Sequence, residues 1–449
     1  MHLYEPRVYA TERPPSAWWA RRPEAWEPGH AGPCVDGSHI ARADLVVIGA
    51  GVTGLSAALE AVESHGAAVL VLDRAAPGWG ASGRAGGFVC LGGSRLGLAE
   101  LAARHGLAAA RDMRKAELAA IETVADSLER YGIDARQGPD GEACIAISRR
   151  HAKALREDID LAQQLPGPPP VWVPARDLDD HGLHLRGAFG ARIEKVGFPI
   201  DPLAYTLGLR DAARAAGVDI RSGCDVTGLR TTAAGFELRG PGLSVRARRV
   251  LVATNGYGDE AVPPWLSGRI LPVISSVLVT EPMDEATRGA SAFRSALMSY
   301  DSRVLLHYFR HLPDGRFLFG MRGGIRGTER AERRTAARVE RRFRRMFPAW
   351  REVPVAHRWS GLACLTRSGL PFVGPVPGAD GLFAAFGYHG NGLAFGSLAG
   401  RSLAAMALGG TPRTPALVAR PPAPFRPRRW RRAGLALAYL AAGISDARP

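Results

Sequence analysis

Two short apolar runs near the N-terminus flank a segment with helical periodicity. Residues 43–49 (ADLVVIG) and 67–72 (AAVLVL) are predicted to be buried strands, because apolar residues dominate each run and the first ends abruptly at a glycine. Residues 53–65, between them, have the apolar spacing of a helix. This succession of strand, helix and strand predicts a parallel βαβ unit.

Helical and extended patterns alternate along the rest of the chain. Further helices are predicted over 98–131, over a stretch that ends at about 165, and over 202–216 and 393–408. The segment Pro166–Pro174 (PGPPPVWVP) is predicted to be a loop. Strands are predicted at 143–147, 218–221, 225–230, 235–239, 243–246, 249–253, 270–280, 303–310, 316–320, 355–360 and 382–387.

The turn between the first strand and its helix has a glycine pattern that binds phosphates. In Gly49–Gly54 (GAGVTG), Gly49 permits the tight turn, Gly51 lets a pyrophosphate approach the backbone, and Gly54 allows close helix–strand packing. The helix N-terminus offers free N–H groups and a partial positive charge. Asp73 follows 19 residues after Gly54, where a carboxylate can accept hydrogen bonds from ribose hydroxyls. The unit therefore predicts a dinucleotide site.

A second glycine-rich loop, Gly80–Phe88 (GASGRAGGF), narrows the choice of dinucleotide. Such a loop can fold over a pyrophosphate, with Ser82 and main-chain amides donating to its oxygens, and can lead the chain towards a flavin ring. A unit that binds NAD has no need of this loop. The GASGR-x-GG pattern resembles the FAD-dependent amine and amino-acid oxidoreductases of the D-amino-acid oxidase and glycine oxidase superfamily.

Three later segments resemble the same superfamily. Residues 250–256 (VLVATNG) resemble its strand beside FAD, Asp225-Val226 resembles the strand that contacts adenine, and 383–400 (FAAFGYHGNGLAFGSLAG) resembles the final flavin motif. There Gly390-Asn391-Gly392 open a helix whose N-terminus would stabilise the negative charge of a reduced flavin. The gamma-glutamylputrescine oxidoreductases are the branch that the chain resembles most, from the Trp-containing leader through Arg358–Gly361 (RWSG) to the Pro- and Arg-rich tail.

The resemblance implies that FAD is the cofactor. The residues expected to contact it are Gly49, Gly51, Thr53, Gly54, Asp73, Arg74, Ser82, Gly83, Arg84, Gly86, Gly87, Phe88, Val226, Ala253, Thr254, Asn255, Gly256, Gly387, His389, Gly390, Asn391 and Gly392. Sarcosine oxidases of this superfamily attach FAD to a cysteine in the region of Cys364 and place a lysine by the flavin. Here Cys364 is offset in register and no lysine follows Lys195. We therefore expect noncovalent FAD, with oxygen or another compound as the electron acceptor.

The order of elements and the resemblance together predict an α/β fold of mixed α+β type. A Rossmann-like FAD-binding domain is expected to be interleaved with an antiparallel-sheet substrate domain. The expected segments are an irregular leader (1–41), the FAD-binding domain (42–97, 196–268 and 358–410), the substrate or cap domain (98–195 and 269–357) and a basic C-terminal tail (411–449).

Six side chains are candidates for the substrate pocket. They are His307, Tyr308, Arg310, Trp359, Tyr388 and His389. By strand alternation, His307 shares one face with Phe309, whereas Tyr308 and Arg310 share the other and could bind a substrate carboxylate. Structural roles stay open for these side chains. His389 could brace its loop, Trp359 could pack in the core, and Tyr308 and Arg310 could belong to an exposed polar face of their strand.

The charge and the cysteine content limit the kinds of partner and metal ion that the protein is expected to bind. The formal net charge is +15, carried almost entirely by arginine, which a biased coding composition explains better than nucleic-acid binding. The basic run 330–345 has apolar residues at helical spacing and predicts an amphipathic helix. Five scattered cysteines without a CxxC pair argue against a zinc site and against a disulfide framework. No metal is expected.

Targeting signals are not recognised in the sequence. The N-terminal residues lack an apolar core with a small-residue cleavage site, and the apolar run 434–444 is too short to span a bilayer. The cytoplasm is the expected compartment.

The expected activity is FAD-dependent oxidation of an amine by hydride transfer, giving an imine that hydrolyses. Glu194 and Asp201 lack any paired context, so no catalytic acid or base is predicted. An amino-acid or glycine oxidase-like dehydrogenase is the alternative enzyme, and an RNA-acting flavoprotein is a third hypothesis that rests on charge alone. A pyridine-nucleotide flavin reductase is disfavoured because only one complete GxGxxG unit is present. The sequence identifies neither the substrate nor the oligomeric state.

Overall fold

The computed structural model of the protein describes residues 2–12, 17–21 and 41–447. The helices are α1 (Val52–His65), α2 (Leu98–His105), α3 (Leu107–Arg130), α4 (Arg149–Ala162), α5 (Pro202–Ala215), α6 (Glu285–Gly289), α7 (Glu329–Met346), α8 (Ala394–Leu408) and α9 (Arg431–Ala447). The strands are β1 (Ala41–Ile48), β2 (Val69–Leu72), β3 (Phe88–Val89), β4 (Glu142–Ile145), β5 (Val171–Pro174), β6 (Gly190–Glu194), β7 (Phe198–Pro199), β8 (Asp219–Arg221), β9 (Gly228–Thr232), β10 (Gly235–Gly240), β11 (Leu243–Val252), β12 (Leu271–Thr280), β13 (Met298–Asp301), β14 (His307–His311), β15 (Phe317–Arg322), β16 (Val355–Leu365), β17 (Phe372–Pro375) and β18 (Leu382–Phe386).

The first sheet is built around the predicted βαβ unit. Its strand order is β17-β18-β11-β1-β2-β8, and β10 and β9 extend it from β11. The strands from β18 to β8 run parallel to their neighbours, while β17 is antiparallel to β18. Leu45 and Val47 of β1 face the core formed with α1 and α8, and Val46 and Ile48 face the core formed with β10. Burial on both faces explains why β1 is a nearly continuous apolar run.

The second sheet, which we call the roof sheet, has the order β16-β12-β15-β14-β13-β4-β6-β5. Its neighbouring strands are antiparallel except for β13 and β4. Phe309 and Phe319 on one face form a buried core with Phe343, Phe347 and Trp350. The other face is therefore free to cover the first sheet.

The predicted mixed α/β fold class is confirmed by the two sheets. Helices α1, α5 and α8 begin and end almost at the predicted residues. The basic run 330–345 lies within α7, as its periodicity predicts. The boundaries of the two expected domains stay a prediction.

Three predictions about elements are wrong, each for a local reason. Val171–Pro174 is not a loop but β5, which pairs with β6 at the edge of the roof sheet, where a proline without an N–H is tolerated. The helix predicted over 98–131 is divided at Gly106, whose φ of +89° no helical residue adopts. The two strands predicted over 243–253 are one strand, β11.

Other elements have shifted bounds or were not predicted. β9 begins at Gly228 rather than at 225, and β14 begins at His307 rather than at 303. β13, β17 and α9 were not predicted at all. β13 and β17 have four residues each and pair with strands far away in sequence, so a local pattern carries little information about them.

The predicted leader packs onto the body of the protein where it is described. Short 3₁₀ turns form at Pro6–Tyr9 and Trp18–Arg21. The Tyr4 hydroxyl donates to the Pro272 carbonyl at 3.1 Å, and the Trp19 indole N–H donates to the Ala85 carbonyl at 2.8 Å. The remaining leader positions, with Cys34, lie outside the described residues.

Candidate active site

A cavity of about 750 Å³ lies where the two sheets meet. The β1–α1 turn, the end of β2, the Gly80–Phe88 loop and the segment before α8 line one side. Residues of β4, β6, β12, β13 and β14 line the other side. The cavity therefore lies at the carboxyl ends of the parallel strands, where open α/β sheets bind ligands.

The β1–α1 turn is shaped by its glycines in the way that a dinucleotide needs. Gly49 has a φ of +111° and closes the turn. A Cβ on Gly54 would lie 1.8 Å from the Gly49 carbonyl oxygen, so α1 can pack this closely only without a side chain there. A Cβ on Gly51 would lie 2.9 Å from Ser82 Oγ and would fill the space between turn and loop. This cradle fits a pyrophosphate.

Ser82 joins the two glycine-rich segments. Its hydroxyl oxygen accepts the Val52 N–H at 3.0 Å, so the hydroxyl proton can be donated to a ligand. Gly51 precedes α1 without a side-chain cap, so the first amides of α1 can meet an anion.

Asp73 and Arg74 line the cavity beyond β2. The two Asp73 carboxylate oxygens accept the Ala50 N–H at 2.7 Å and the Ala75 N–H at 2.8 Å, and each keeps a lone pair that a ribose hydroxyl can use. The buried Nη2 of Arg74 has no hydrogen-bond partner among the described residues, which fits a site that a ligand completes. Together with the cradle at Gly51, these atoms fit FAD.

The end of β11 closes the cavity next to the β1–α1 turn. A Cβ on Gly49 would lie 2.9 Å from the Ala253 carbonyl oxygen. Asn255 has a φ of +47°, and its side-chain oxygen accepts the Gly387 N–H at 3.1 Å. This bond links the β11 end to the segment before α8, so both predicted FAD segments are held together.

His389 has an unusual backbone and a defined protonation state. Its φ is +53°, its N–H donates to the Cys364 carbonyl at 3.1 Å, and its carbonyl accepts a hydrogen bond from the Arg322 guanidinium. Thr366 Oγ1 donates to the Leu370 carbonyl at 2.5 Å and lies 3.2 Å from His389 Nε2. Since that hydroxyl proton is directed at Leu370, the geometry favours the tautomer with the imidazole proton on Nε2.

The other imidazole nitrogen of His389 is consequently a bare acceptor. Burial and the nearby Arg322 lower the pKa of His389 to about 3, so the ring is neutral. Nδ1 is buried and has no hydrogen-bond partner among the described residues. A neutral acceptor at the start of α8 suits an N–H group of a bound ligand.

Most of the residues predicted to contact FAD line the cavity. They are Gly49, Gly51, Thr53, Asp73, Arg74, Ser82, Arg84, Gly86, Phe88, Val226, Ala253, Thr254, Asn255, His389, Gly390, Asn391 and Gly392. Five predicted glycines lie behind this lining, namely Gly54, Gly83, Gly87, Gly256 and Gly387. Added Cβ atoms at Gly83 and Gly87 would lie 2.3 Å and 2.1 Å from carbonyl oxygens, so these glycines allow the loop to pack.

Two of the six substrate candidates are tyrosines that line the cavity. The Tyr308 hydroxyl lies 3.0 Å from Ser275 Oγ, and the Tyr388 hydroxyl lies 3.1 Å from Thr53 Oγ1. Burial raises the pKa of both tyrosines, so both stay protonated.

The structure places three other candidates outside the cavity lining. Arg310 donates to the Gly86 and Ile200 carbonyls, at 3.0 and 2.9 Å, and is fully buried. The Trp359 indole donates to the Arg84 carbonyl at 3.0 Å. His307 Nδ1 lies 2.5 Å from Asp301 Oδ2. All three have structural partners and lie outside the cavity lining, and their roles towards a substrate stay predictions.

The cavity wall also contains a group of charged residues that were not predicted from the sequence. Glu117 and Arg114 come from α3, Glu142 from β4, and Arg192 and Glu194 from β6. Glu194 had been assigned no role. The available signal is a glutamate, Glu142, directly before the apolar strand predicted at 143–147.

The cysteines differ from the expectation in one respect. Cys90, Cys144 and Cys364 are free and buried. Cys224 is in a disulfide bond, which the scattered spacing did not predict. Among residues 2–12, 17–21 and 41–447, no group of His, Cys, Asp and Glu is arranged to hold a metal ion.

A βαβ unit with a pyrophosphate cradle, covered by a largely antiparallel roof sheet, is the arrangement of a dinucleotide-binding protein. The family model described as FAD dependent oxidoreductase (DAO) matches residues 44–406, so the chain belongs to this family and FAD is its cofactor.

Three known proteins show how far the likeness extends. A probable oxidoreductase OrdL of Haemophilus influenzae is 30% identical over 380 residues, 83% of this chain and 84% of that protein. Gamma-glutamylputrescine oxidoreductase of Escherichia coli is 29% identical over 382 residues, 85% of this chain and 87% of that protein. The crystal structure of glycine oxidase from Geobacillus kaustophilus has a TM-score of 0.70 at 20% identity and covers 85% of this chain and 98% of that one.

We predict that FAD is released intact when the protein is precipitated with acid. Cys364 lines the cavity, but burial raises the pKa of its thiol to about 12, so the nucleophilic thiolate is scarce at neutral pH. The yellow colour should appear in the supernatant after precipitation. A yellow pellet with flavin mass on a Cys364 peptide would show a covalent bond instead.

Proposed function

We propose that this FAD-dependent oxidoreductase oxidises the C–N bond of an amine. The observation that carries the proposal is the continuous cavity that joins the FAD-contacting loops to buried polar side chains of the roof sheet. FAD, when bound, supplies the acceptor for the hydride that leaves the amine α-carbon. The likeness to gamma-glutamylputrescine oxidoreductase over most of the chain supports an amine as the substrate.

The roof sheet positions the substrate against the glycine-rich loop. Tyr308 lies edge-on to Phe88, with 5.7 Å between the ring centroids, and its hydroxyl pairs with Ser275. Both hydroxyls can hold N–H groups of an amine, and the two aromatic rings restrict its movement. Holding the α-C–H bond in one orientation lowers the entropic part of the barrier.

The reaction requires little acid–base chemistry from the side chains of the protein. A neutral amine stabilises the developing cation with its own nitrogen lone pair as the hydride leaves. Tyr308 and Tyr388 both stay protonated at neutral pH, so neither accepts the amine proton. The side chains of the cavity therefore bind and orient, and they exclude water from the reacting carbon.

Oxidation of an amino acid is the second candidate. Arg322 lines the cavity, and its guanidinium, held by the His389 carbonyl, could pair with an α-carboxylate. A glycine oxidase of Pseudomonas aeruginosa is 25% identical over 397 residues, which fits this alternative. The two candidates differ in whether the best substrate carries an α-carboxylate.

Anaerobic mixing with a panel of amines and amino acids should bleach the flavin with at least one amine. The rate of bleaching should rise with pH through one ionisation, because only the neutral amine reacts, and deuterium on the α-carbon should slow it. Stopped-flow absorbance measures both effects. Rapid bleaching by NADH, with no response to any amine or amino acid, would make the protein a flavin reductase.

Other partners and the compartment stay predictions. No helix in the described part of the chain is long and apolar enough to cross a membrane. The basic run on α7 is partly neutralised, with Arg333 3.1 Å from Glu329 and Arg344 2.7 Å from Glu340, which supports the prediction that no nucleic acid binds. We keep the cytoplasm as the proposed location and leave open whether oxygen accepts the electrons.

A further inference from the structure

One end of the cavity is lined by a cluster of charged side chains that the proposed chemistry does not use. Glu142 and Cys144 of β4 line the cavity, whereas Ala143 and Ile145 pack into the core on the other face of the roof sheet. Glu194 stands opposite Glu142 on β6. Only 1% of Glu142 and 2% of Glu194 is exposed. Charged residues this deeply buried require partners.

Each of the two arginines of the cluster already has an ion-pair partner, although the Nε of each lacks a hydrogen bond among the described residues. Arg114 Nη2 lies 3.0 Å from Glu194 Oε2, and Arg192 Nε lies 3.5 Å from Glu194 Oε1. Arg192 Nη1 lies 3.6 Å from Asp158 Oδ2. Glu194 and Asp158 thus match both guanidinium groups, and the carboxyl groups of Glu117 and Glu142 are in excess.

Glu142 is the residue whose partner is missing. No N–H or O–H group of the described residues donates to either carboxyl oxygen, and the Cys90 thiol next to Glu142 is a weak donor. Burial and the neighbouring Glu194 raise the pKa of Glu142 to about 8, and burial raises that of Glu117 to about 7. A carboxylic acid kept only for structure would normally be hydrogen-bonded at this depth.

The cluster is close to the FAD-contacting residues. Cys90 Sγ, next to Glu142, lies 3.5 Å from Asn391 Oδ1 before α8. Tyr308 is level with Tyr300 in the roof sheet, and Tyr300 is level with Cys144, two residues from Glu142 on β4. Two strand spacings and two residues along the strand correspond to about 12 Å between Tyr308 and Glu142. A small ligand can therefore touch Glu142 and still reach the reacting end of the cavity.

We propose that Glu142, with Glu117 beside it in the cavity wall, binds an ammonium group of the substrate. An ammonium group supplies the donors that the Glu142 oxygens lack, and its positive charge stabilises the ionised form of this carboxyl group. A substrate carboxylate would instead approach two carboxyl groups whose neighbouring arginines are already paired. The inference rests on the proposed function, and it favours amines over amino acids.

Calorimetric titration of the FAD-loaded protein tests this inference. The ligands are putrescine, butylamine and gamma-aminobutyrate, which carry an ammonium, a methyl or a carboxylate at the same end. The variants are Glu142→Gln and a matched control, Glu122→Gln, on the exposed face of α3. Glu142→Gln should weaken putrescine binding at least about tenfold, as expected for loss of a charge-assisted bond, and Glu122→Gln should not. Because Glu142 makes no N–H or O–H hydrogen bond, the variant should keep its Tm and its FAD.

Each outcome decides the inference. If Glu142→Gln loses affinity for putrescine alone, the inference is supported and Glu142 binds a second, non-reacting nitrogen. If the variant loses affinity equally for butylamine, the inference is supported and Glu142 binds the reacting nitrogen. Three results would each overturn the inference. The Glu142→Gln variant could bind putrescine with unchanged affinity, the natural protein could bind gamma-aminobutyrate more tightly than putrescine, or the natural protein could bind neither amine. The FAD of the titrated protein is reduced beforehand, so the titration detects binding without turnover. A failure of amine oxidation itself would be seen separately, as an oxidised flavin that no amine bleaches.

Discussion

Replacing Gly51 with valine is expected to give a folded protein that no longer retains FAD. The new Cβ would lie 2.9 Å from Ser82 Oγ, the end of a side chain that can rotate, so the backbone need not move. The valine methyl groups would then occupy the cradle where the pyrophosphate must approach the main chain. We expect FAD affinity to fall at least about a hundredfold, or about 2.7 kcal/mol.

The flavin content of the purified protein and the titration of the apoprotein with FAD measure this loss, and circular dichroism reports the fold. Gly289→Val is the matched control, because a Cβ there has no neighbouring atom within 4 Å. Gly54→Ala should behave differently from Gly51→Val and unfold the protein, since its Cβ would lie 1.8 Å from a carbonyl oxygen. Full flavin retention by Gly51→Val at normal affinity would show that the phosphates lie elsewhere.

The βαβ unit could be predicted because its signals are local. β1 is buried on both faces, so its apolar run is almost continuous, and the roles of Gly49 and Gly54 follow from the turn between adjacent elements. The alternation on β14 could also be predicted. Tyr308 lines the cavity while Phe309 packs into the opposite core.

Features that depend on distant partners could not be predicted. The segment β5 forms a strand because it pairs with the edge of β6. The strand β13 pairs with β4, which lies much earlier in the chain. The charged cluster is assembled from α3, β4 and β6, so no local spacing brings Glu142 and Arg114 together. Arg310 lies on the same face of β14 as Tyr308, as predicted. Its hydrogen bond to Gly86 depends on the Gly80–Phe88 loop, which the strand pattern alone does not place.

Arg310 is expected to act as a structural support of the FAD loop rather than as a substrate ligand. Its Nε donates to the Gly86 carbonyl at 3.0 Å, and its Nη2 donates to Gln137 Oε1 and to the Ile200 carbonyl, both at 2.9 Å. It thereby ties the glycine-rich loop to β14 and to the segment before α5. Burial lowers the pKa of Arg310 to about 9, because the charged guanidinium is removed from water.

Arg310→Met should therefore destabilise the protein by about 3 to 5 kcal/mol, because it leaves buried carbonyl and amide oxygens without a donor. Thermal unfolding should show a Tm several degrees lower, and FAD should dissociate more readily because Gly86 lines its cavity. The exposed Arg333→Met is the control and should change neither property. A substrate-binding arginine would behave in the opposite way. Arg310→Met would then keep its Tm and its FAD, and it would lose affinity for gamma-aminobutyrate but not for butylamine.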